Sequence, residues 1–356
     1  MNAILSQNNM NPLLGKDNMK PMRLAVIGYG YWGPNLARTL YELPSAELVA
    51  IVDLKSDQLA RAQGRYPGVA LISDYGELFK MGLDGVLIAT PPKTHFKIAK
   101  DCLMHDLNVL VEKPITLNSA DAAELIQIAE QRGLTLMVGH TFEFNPAVQA
   151  MKEYIDSKEL GDLYYIDTAR LNLGLFQRDS NVLWDLAPHD LSIILYLLGS
   201  NPVSVSAQGM PCVIPGVYDV AYLSLSFPNK VTAYVHVSWL DPCKVRRVTI
   251  VGSRKMAVFN DLDSEGKIKI YDKGVVAPTY TDDFGNYQYN YRYGDIVMPR
   301  ISASEPLARE CEHFVESIIN RTEPKSSGRS GLRVLKILEA AQRSMTKSST
   351  QELIQW

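Results

Sequence analysis

The sequence predicts an α/β chain in two parts, a doubly wound parallel sheet followed by an α+β domain with a large, mostly antiparallel open sheet. Three observations carry that expectation. From Arg23 to about His140, short apolar runs alternate with helical patterns, the rhythm of parallel β-α units with helices on both faces. After Asn145-Pro146 the rhythm changes, and several apolar runs follow in succession without intervening helices, as antiparallel hairpins allow. At 356 residues the chain also exceeds one typical core. Residues 1–21 are assigned to a disordered tail, 22–141 to the first domain and 142–356 to the second.

Taken in order, the start of the chain is polar and Asn-rich, without the basic and apolar segments of a signal peptide, and Met19 or Met22 could open the ordered protein. Apolar runs place six strands in the first domain, at 23–27, 47–52, 69–72, 84–89, 107–111 and 134–139. Thr94 to His105 reads as a helix. So does Ser119 to Arg132, where Asn118 or Ser119 can cap and Leu125, Ile126 and Ala129 recur on one face. A helix from about Pro146 to Ser157 opens the second part. Alternation with aromatic or β-branched residues then marks strands at 163–170, 203–209, 220–227, 231–239, 247–252, 256–260 and 267–271. Pro228-Asn229-Lys230 and Gly252-Ser253-Arg254-Lys255 have the residues of hairpin turns. Helices are placed at about 185–198, 303–320 and 330–345. Residues 273–300, rich in Tyr, Gly and Asp but without a clean period, read as loop.

Composition narrows the function. A hydrophobic share of 46% and a charged share of 21% are those of an ordinary soluble protein, and a net charge of -3 leaves no electrostatic footprint for nucleic acid. No apolar run approaches the ~20 residues of a membrane span. Cys102, Cys212, Cys243 and Cys311 form no C-x-x-C pair, and the six histidines show no H-x-x-x-H spacing. Free thiols in a reducing cytoplasm and no metal site are expected.

The chemistry begins at Gly28-Tyr29-Gly30-Tyr31-Trp32-Gly33, a G-x-G-x-x-G loop directly after the run Arg23-Leu24-Ala25-Val26-Ile27. Gly28 permits a tight turn, Gly30 lets backbone approach a pyrophosphate, and Gly33 lets the next helix pack close to the sheet. That pyrophosphate would sit on the free N–H groups of the helix, which Pro34 suits by having none. Asp53, twenty residues after Gly33, closes the next apolar run where a carboxylate can accept from ribose hydroxyls. These are the marks of a Rossmann domain that prefers NAD to NADP, although Lys55 offers a 2′-phosphate some compensation.

In such a sheet ligands bind outside the carboxyl ends of the strands. Two segments fall there, Thr90-Pro91-Pro92-Lys93-Thr94-His95 after the fourth strand and Glu112-Lys113-Pro114 after the fifth. Lys113 would be aimed at the nicotinamide end of the cofactor; its plainer reading is a surface lysine at a strand end. Asp185 and His189 are four apart and share a face if helix has begun, so the carboxylate could orient the imidazole for proton transfer. A capping Asp beside a satisfied helix histidine is the plainer account, and Pro188 interrupts regular helix there. His140 and Asn145, at the domain junction, suit either hydroxyl recognition or a buried strand-end cap. Arg170, Asn172 and Arg178 could meet a phosphate or belong to a solvated loop.

In this order and over this length, Gly28-x-Gly30-x-x-Gly33, Ala89-Thr90-Pro91-Pro92, Glu112-Lys113-Pro114 and Asp185-x-x-x-His189 resemble the glucose-fructose oxidoreductase/inositol dehydrogenase (Gfo/Idh/MocA) family. The resemblance covers about 22 to 345. It implies a Rossmann domain followed by an α/β domain with a large open sheet, a cis peptide at Lys113-Pro114, and oxidation or reduction of a sugar or cyclitol carbon with NAD(P). It also implies catalytic roles for Lys113, Asp185 and His189, and a cleft shared by the 139–146 segment. His189, oriented by Asp185, would take the hydroxyl proton while Lys113 stabilises the developing alkoxide. The wording around Gly28 and Gly139 further resembles members that oxidise C3 of a nucleotide-linked N-acetylhexosamine. The expected substrate is therefore a UDP-linked sugar. An inositol or free-sugar dehydrogenase, a 3-ketosugar reductase and a non-catalytic NAD-binding sensor are the alternatives. Apolar or aromatic side chains on both faces of 222–227 and 234–239 predict a homodimer or homotetramer stacked through the second sheet.

Overall fold

A computed structural model describes residues 20–176, 180–276 and 290–356. The expected tail, apart from Lys20 and Pro21, and Arg178 lie outside the described residues. The first sheet is formed by β1 (Met22–Ile27), β2 (Ala46–Val52), β3 (Ala70–Ile72), β4 (Gly85–Ile88), β5 (Asn108–Glu112) and β6 (Leu136–Gly139), all parallel in the order β3-β2-β1-β4-β5-β6. Each predicted strand is present within about two residues. The strand order reverses direction between β1 and β4, which opens a crevice at their carboxyl ends, where Gly28 and Thr90 leave the sheet. Helices α1 (Gly33–Glu42), α2 (Ser56–Gln63), α3 (His95–Met104) and α4 (Ser119–Arg132) make the crossovers. As expected, Asn118 caps α4, accepting from Asp121 N at 2.8 Å, and Gly133 closes it in the left-handed region.

Helix α5 (Pro146–Asp156) leads into the second sheet, of nine strands: β7 (Leu163–Leu171), β8 (Ser204–Met210), β9 (Val220–Ser226), β10 (Thr232–Ser238), β11 (Val245–Gly252), β12 (Met256–Asn260), β13 (Ile268–Val276), β14 (Asn290–Val297) and β15 (Glu352–Leu353). It is antiparallel except where β10 lies parallel to β7. Residues 273–276 and 290–297, expected as loop, are strand; the rest of that stretch to residue 289 lies outside the described residues. Strand β14 is a sheet edge, and its side chains are exposed on both faces apart from Arg292. A strand with no buried face has no period for the eye to find.

Helices α6 (Val182–Leu198), α7 (Pro306–Asn320) and α8 (Gly328–Thr346) complete the fold. Although all three follow residue 142, α7 packs against the first sheet: Leu307, Cys311, Phe314 and Val315 share a core with Leu24, Val26 and Leu36. Helix α8 lies against both α4 and β8. A second core runs continuously from Ala25 and Val86 to Ile250 and Leu338. The chain thus returns to the first sheet after building the second, and the cleft between them has walls from both.

Candidate active site

The glycine loop is shaped for a close neighbour. Gly28 has φ +96°, and a Cβ there would lie 2.8 Å from Ala89 backbone; one at Gly33 would lie 1.9 Å from Gly28 O, so only glycine lets α1 approach the strand. At Gly30 a Cβ would meet nothing within 4 Å, which leaves the loop open on the cleft side. No side chain caps α1, so its first-turn amides are available to an anion. Asp53 accepts from Tyr29 N at 2.7 Å and Lys55 N at 2.9 Å. Those bonds fix the carboxylate beside the loop and leave each oxygen a lone pair for a ribose hydroxyl. The loop, the uncapped helix and Asp53 fit a dinucleotide, with Thr90, Pro91 and Pro92 on the far wall.

Across the crevice, β5 delivers Lys113. Its peptide to Pro114 is cis, as the resemblance implies. Lys113 Nζ donates to Asp185 O at 2.8 Å and stands 3.6 Å from Asp185 Oδ1. Asp185 and His189 occupy the first turns of α6, which Asn181 caps and Pro188 does not interrupt. The expected hydrogen bond between them is not formed. Trp239 Nε1 donates to Asp185 Oδ2 at 2.9 Å, while His189 Nδ1 is shut from solvent without a partner. A buried indole N–H demands an acceptor, and the short aspartate turns to it. His189 is half-buried overall; burial first, then the charges of Lys113 and Arg170, hold its pKa well below the ordinary value. It is therefore neutral near pH 7.

Other expected residues have structural duties. His95 is buried, with Nδ1 2.8 Å from Pro114 O and Nε2 2.8 Å from Thr90 O. It ties the two cleft walls together. Asn145 is a cap, accepting from Ala147 N at 2.9 Å. Arg170, expected at a phosphate, is 6% exposed. Its Nε donates to Asp190 Oδ2 at 2.7 Å, because an even-numbered residue of β7 points to the helix-covered face. Asn172 stays just past β7, its backbone N–H donating to Ser238 O at 3.2 Å. His140 is 1% exposed with both ring nitrogens unpartnered, and burial followed by Lys113 lowers its pKa to about 3.

Sequence reasoning missed Trp239, Phe142, Asp190 and Glu310. Trp239 and Glu310 are far along the chain from what they touch, whereas Asp190, adjacent to His189, and Phe142, inside the 139–146 segment, offered local hints. Glu112 Oε1 and Glu310 Oε1 are buried without partners, and Gly139 leaves the room that the Glu112 carboxyl fills. Burial pushes Glu112 up to about 7, with Lys113 pulling the other way; burial and then Glu112 push Glu310 well above the ordinary carboxylate value. Thr141 Oγ1 donates to Glu310 Oε2 at 2.9 Å, anchoring α7 beneath this corner of the cleft.

Residues 22–140 match the oxidoreductase family with NAD-binding Rossmann fold, and residues 148–258 match the GFO/IDH/MocA C-terminal domain. The chain belongs to the GFO/IDH/MocA oxidoreductase family. A UDP-N-acetylglucosamine 3-dehydrogenase of Acidithiobacillus ferrooxidans is 27% identical over 325 residues, 88% of this chain and 94% of that protein. Its crystal form superposes with a TM-score of 0.77 at 26% identity, covering 93% of this chain and 100% of that one. An oxidoreductase structure from Magnetospirillum magnetotacticum is 30% identical with a TM-score of 0.76, covering 90% and 99%. A myo-inositol 2-dehydrogenase of Thermotoga maritima is 24% identical over 93% of this chain and 98% of that protein. As a GFO/IDH/MocA member the chain is an NAD-binding oxidoreductase, and no helix among its described residues is long and apolar enough to cross a membrane.

Proposed function

We propose that the protein is a cytoplasmic, NAD-preferring dehydrogenase of a secondary alcohol on a pyranose, C3 of a UDP-linked N-acetylhexosamine. The observation that carries the chemistry is the convergence of Lys113, held by Asp185, with a neutral His189 at the carboxyl end of β5, across the crevice from the glycine cradle. Bound NAD would supply the hydride acceptor. Lys113, three N–H donors on a fixed stem, hydrogen-bonds the alcohol oxygen and stabilises negative charge on it. His189 accepts the hydroxyl proton. Asp185 keeps Lys113 aimed through its backbone carbonyl and its carboxylate. Its carboxylate is itself immobilised by Trp239.

The substrate class rests on similarity to the Acidithiobacillus UDP-N-acetylglucosamine 3-dehydrogenase. With Arg170 buried in its ion pair, Arg246 becomes a better candidate for a pyrophosphate: it is part-exposed and close enough to His189 and Asp190 to influence both. Similarity to the Thermotoga myo-inositol 2-dehydrogenase supports a second reading, a cyclitol dehydrogenase. The same proposal makes the protein a homodimer or homotetramer joined through the open face of the nine-stranded sheet.

The test is nicotinamide absorbance on mixing protein and NAD with UDP-sugars, free hexoses and inositols. Reduction with UDP-N-acetylhexosamines alone supports the first reading, and reduction with inositols replaces it by the second. Lys113→Ala should lower turnover by about 10²-fold or more while NAD still binds. Near-normal turnover would remove Lys113 from the mechanism.

A further inference from the structure

We propose that the His189 imidazole is oriented by the Phe142 ring, which the buried Arg170–Asp190 pair holds in place, and that Asp185 serves Lys113 instead. The inference rests on the reading of His189 as the proton acceptor. Its geometry is a chain of four groups. Asp190 grips Arg170 through two bonds, Nε to Oδ2 at 2.7 Å and Nη2 to Oδ1 at 3.4 Å, with both side chains nearly excluded from solvent. The Arg170 guanidinium carbon lies 4.5 Å from the Phe142 ring centroid, a cation–π contact. Phe142 in turn meets His189 with ring centroids 5.3 Å apart and planes at 69°, an edge-to-face arrangement.

This chain closes on itself. Arg170 comes from β7, Phe142 from the 3-10 turn Thr141–Phe144, and Asp190 and His189 are neighbours on α6. Asp190 therefore references Arg170 to the same helix turn that carries the imidazole. Phe142 fills the space between the two. Asp185, by contrast, has its carboxylate committed to Trp239 and Lys113, and His189 Nδ1 has no hydrogen-bond partner to set its ring. An imidazole without such a partner must be held by packing. The charged and titratable groups around it, Lys113, Arg170, His140 and Arg246, favour the neutral ring.

Phe142, Arg170 and Asp190 are positioning residues. The experiment is NMR of full-length protein labelled with 15N-histidine, its six histidines assigned by single replacement. No substrate is needed, so the outcome stands even if no sugar is oxidised. In Phe142→Leu the His189 ring resonances should shift and broaden, with Phe142→Tyr restoring them, while NAD binding stays unchanged. Where a substrate is in hand, kcat should fall by about 10²-fold in the Leu variant with little change in KM. Asp185→Asn should leave the His189 ring pattern in place. A wild-type ring pattern in Phe142→Leu would overturn the proposal. So would loss of that pattern in Asp185→Asn, a result independent of whether the Phe142 variant folds.

Discussion

Asp53 shows how a single carboxylate can do two jobs. Two backbone amides, of Tyr29 and Lys55, pin it beside the glycine loop, so its negative charge is fixed before a cofactor arrives. A 2′-phosphate placed there would meet that charge at close range, with Lys55 beside it as a partial offset. Asp53→Ala should therefore weaken NAD more than NADP and raise the NADP to NAD preference by about tenfold, measured as the ratio of kcat/KM or of Kd. An unchanged ratio would mean that the carboxylate only ties the loop. The spacing from Gly33 made Asp53 legible in the sequence. Its bond to Tyr29 N was not, because that bond crosses from β2 to the loop after β1.

At the scale of an element, the segment between β6 and α5 concentrates buried ionisable groups. His140 is held to about 3, so protons bind the unfolded chain first and stability falls as pH drops from about 6.5 towards 3. Glu143 is pushed by burial up to about 8, against the pull of Lys325 and Arg333. Its folded form keeps the proton, so that contribution is full below about pH 4.5 and is lost as pH rises towards 8. Burial raises Glu112 and Glu310 in the same direction. Glu143→Gln should accordingly flatten the alkaline fall in Tm between about pH 4.5 and 8 without changing the acid limb. Parallel Tm curves for the two proteins would refute this. Pattern alone signalled the segment's position at the strand end and left its burial open; that burial comes from α6 and α7 closing over it.

The whole molecule is organised by one sheet face that the chain leaves uncovered. Register places Tyr165, Tyr234, His236 and Tyr222 on the same side as Arg247 and Tyr271, opposite the face that α6 and α8 cover. Tyr222 and Tyr234 remain 47% and 43% exposed, and a groove of about 530 Å³ lined by Asp167, Tyr222, Tyr234, His236 and Arg247 runs between them. Aromatic side chains of this kind are favoured at interfaces between subunits. Light scattering at micromolar concentration should show a dimer or tetramer. Tyr222→Glu with Tyr234→Glu should shift it to monomer with the circular dichroism unchanged, since both side chains lie outside the cores. A monomeric wild type would end the stacking proposal.

What the sequence by itself determined is whatever depends on neighbours within a turn or a strand: the six parallel strands, the glycine loop, the Asn118 cap, the strand-end position of Lys113, and Asp185 with His189 on one helix. Periodicity, positive φ and caps act over a few residues, so they are written locally. Tertiary structure decided the partners. Trp239 claims Asp185 from 54 positions away, Arg170 turns inward to Asp190 across 20, and Thr141 meets Glu310 across 169. Which of two acceptors a buried donor takes, and which face of a strand is covered, follow from sheet register and from helices returning late in the chain. Those are set by the packing of the whole core, because burial makes every unpaired polar group costly and only the completed fold determines what lies within reach.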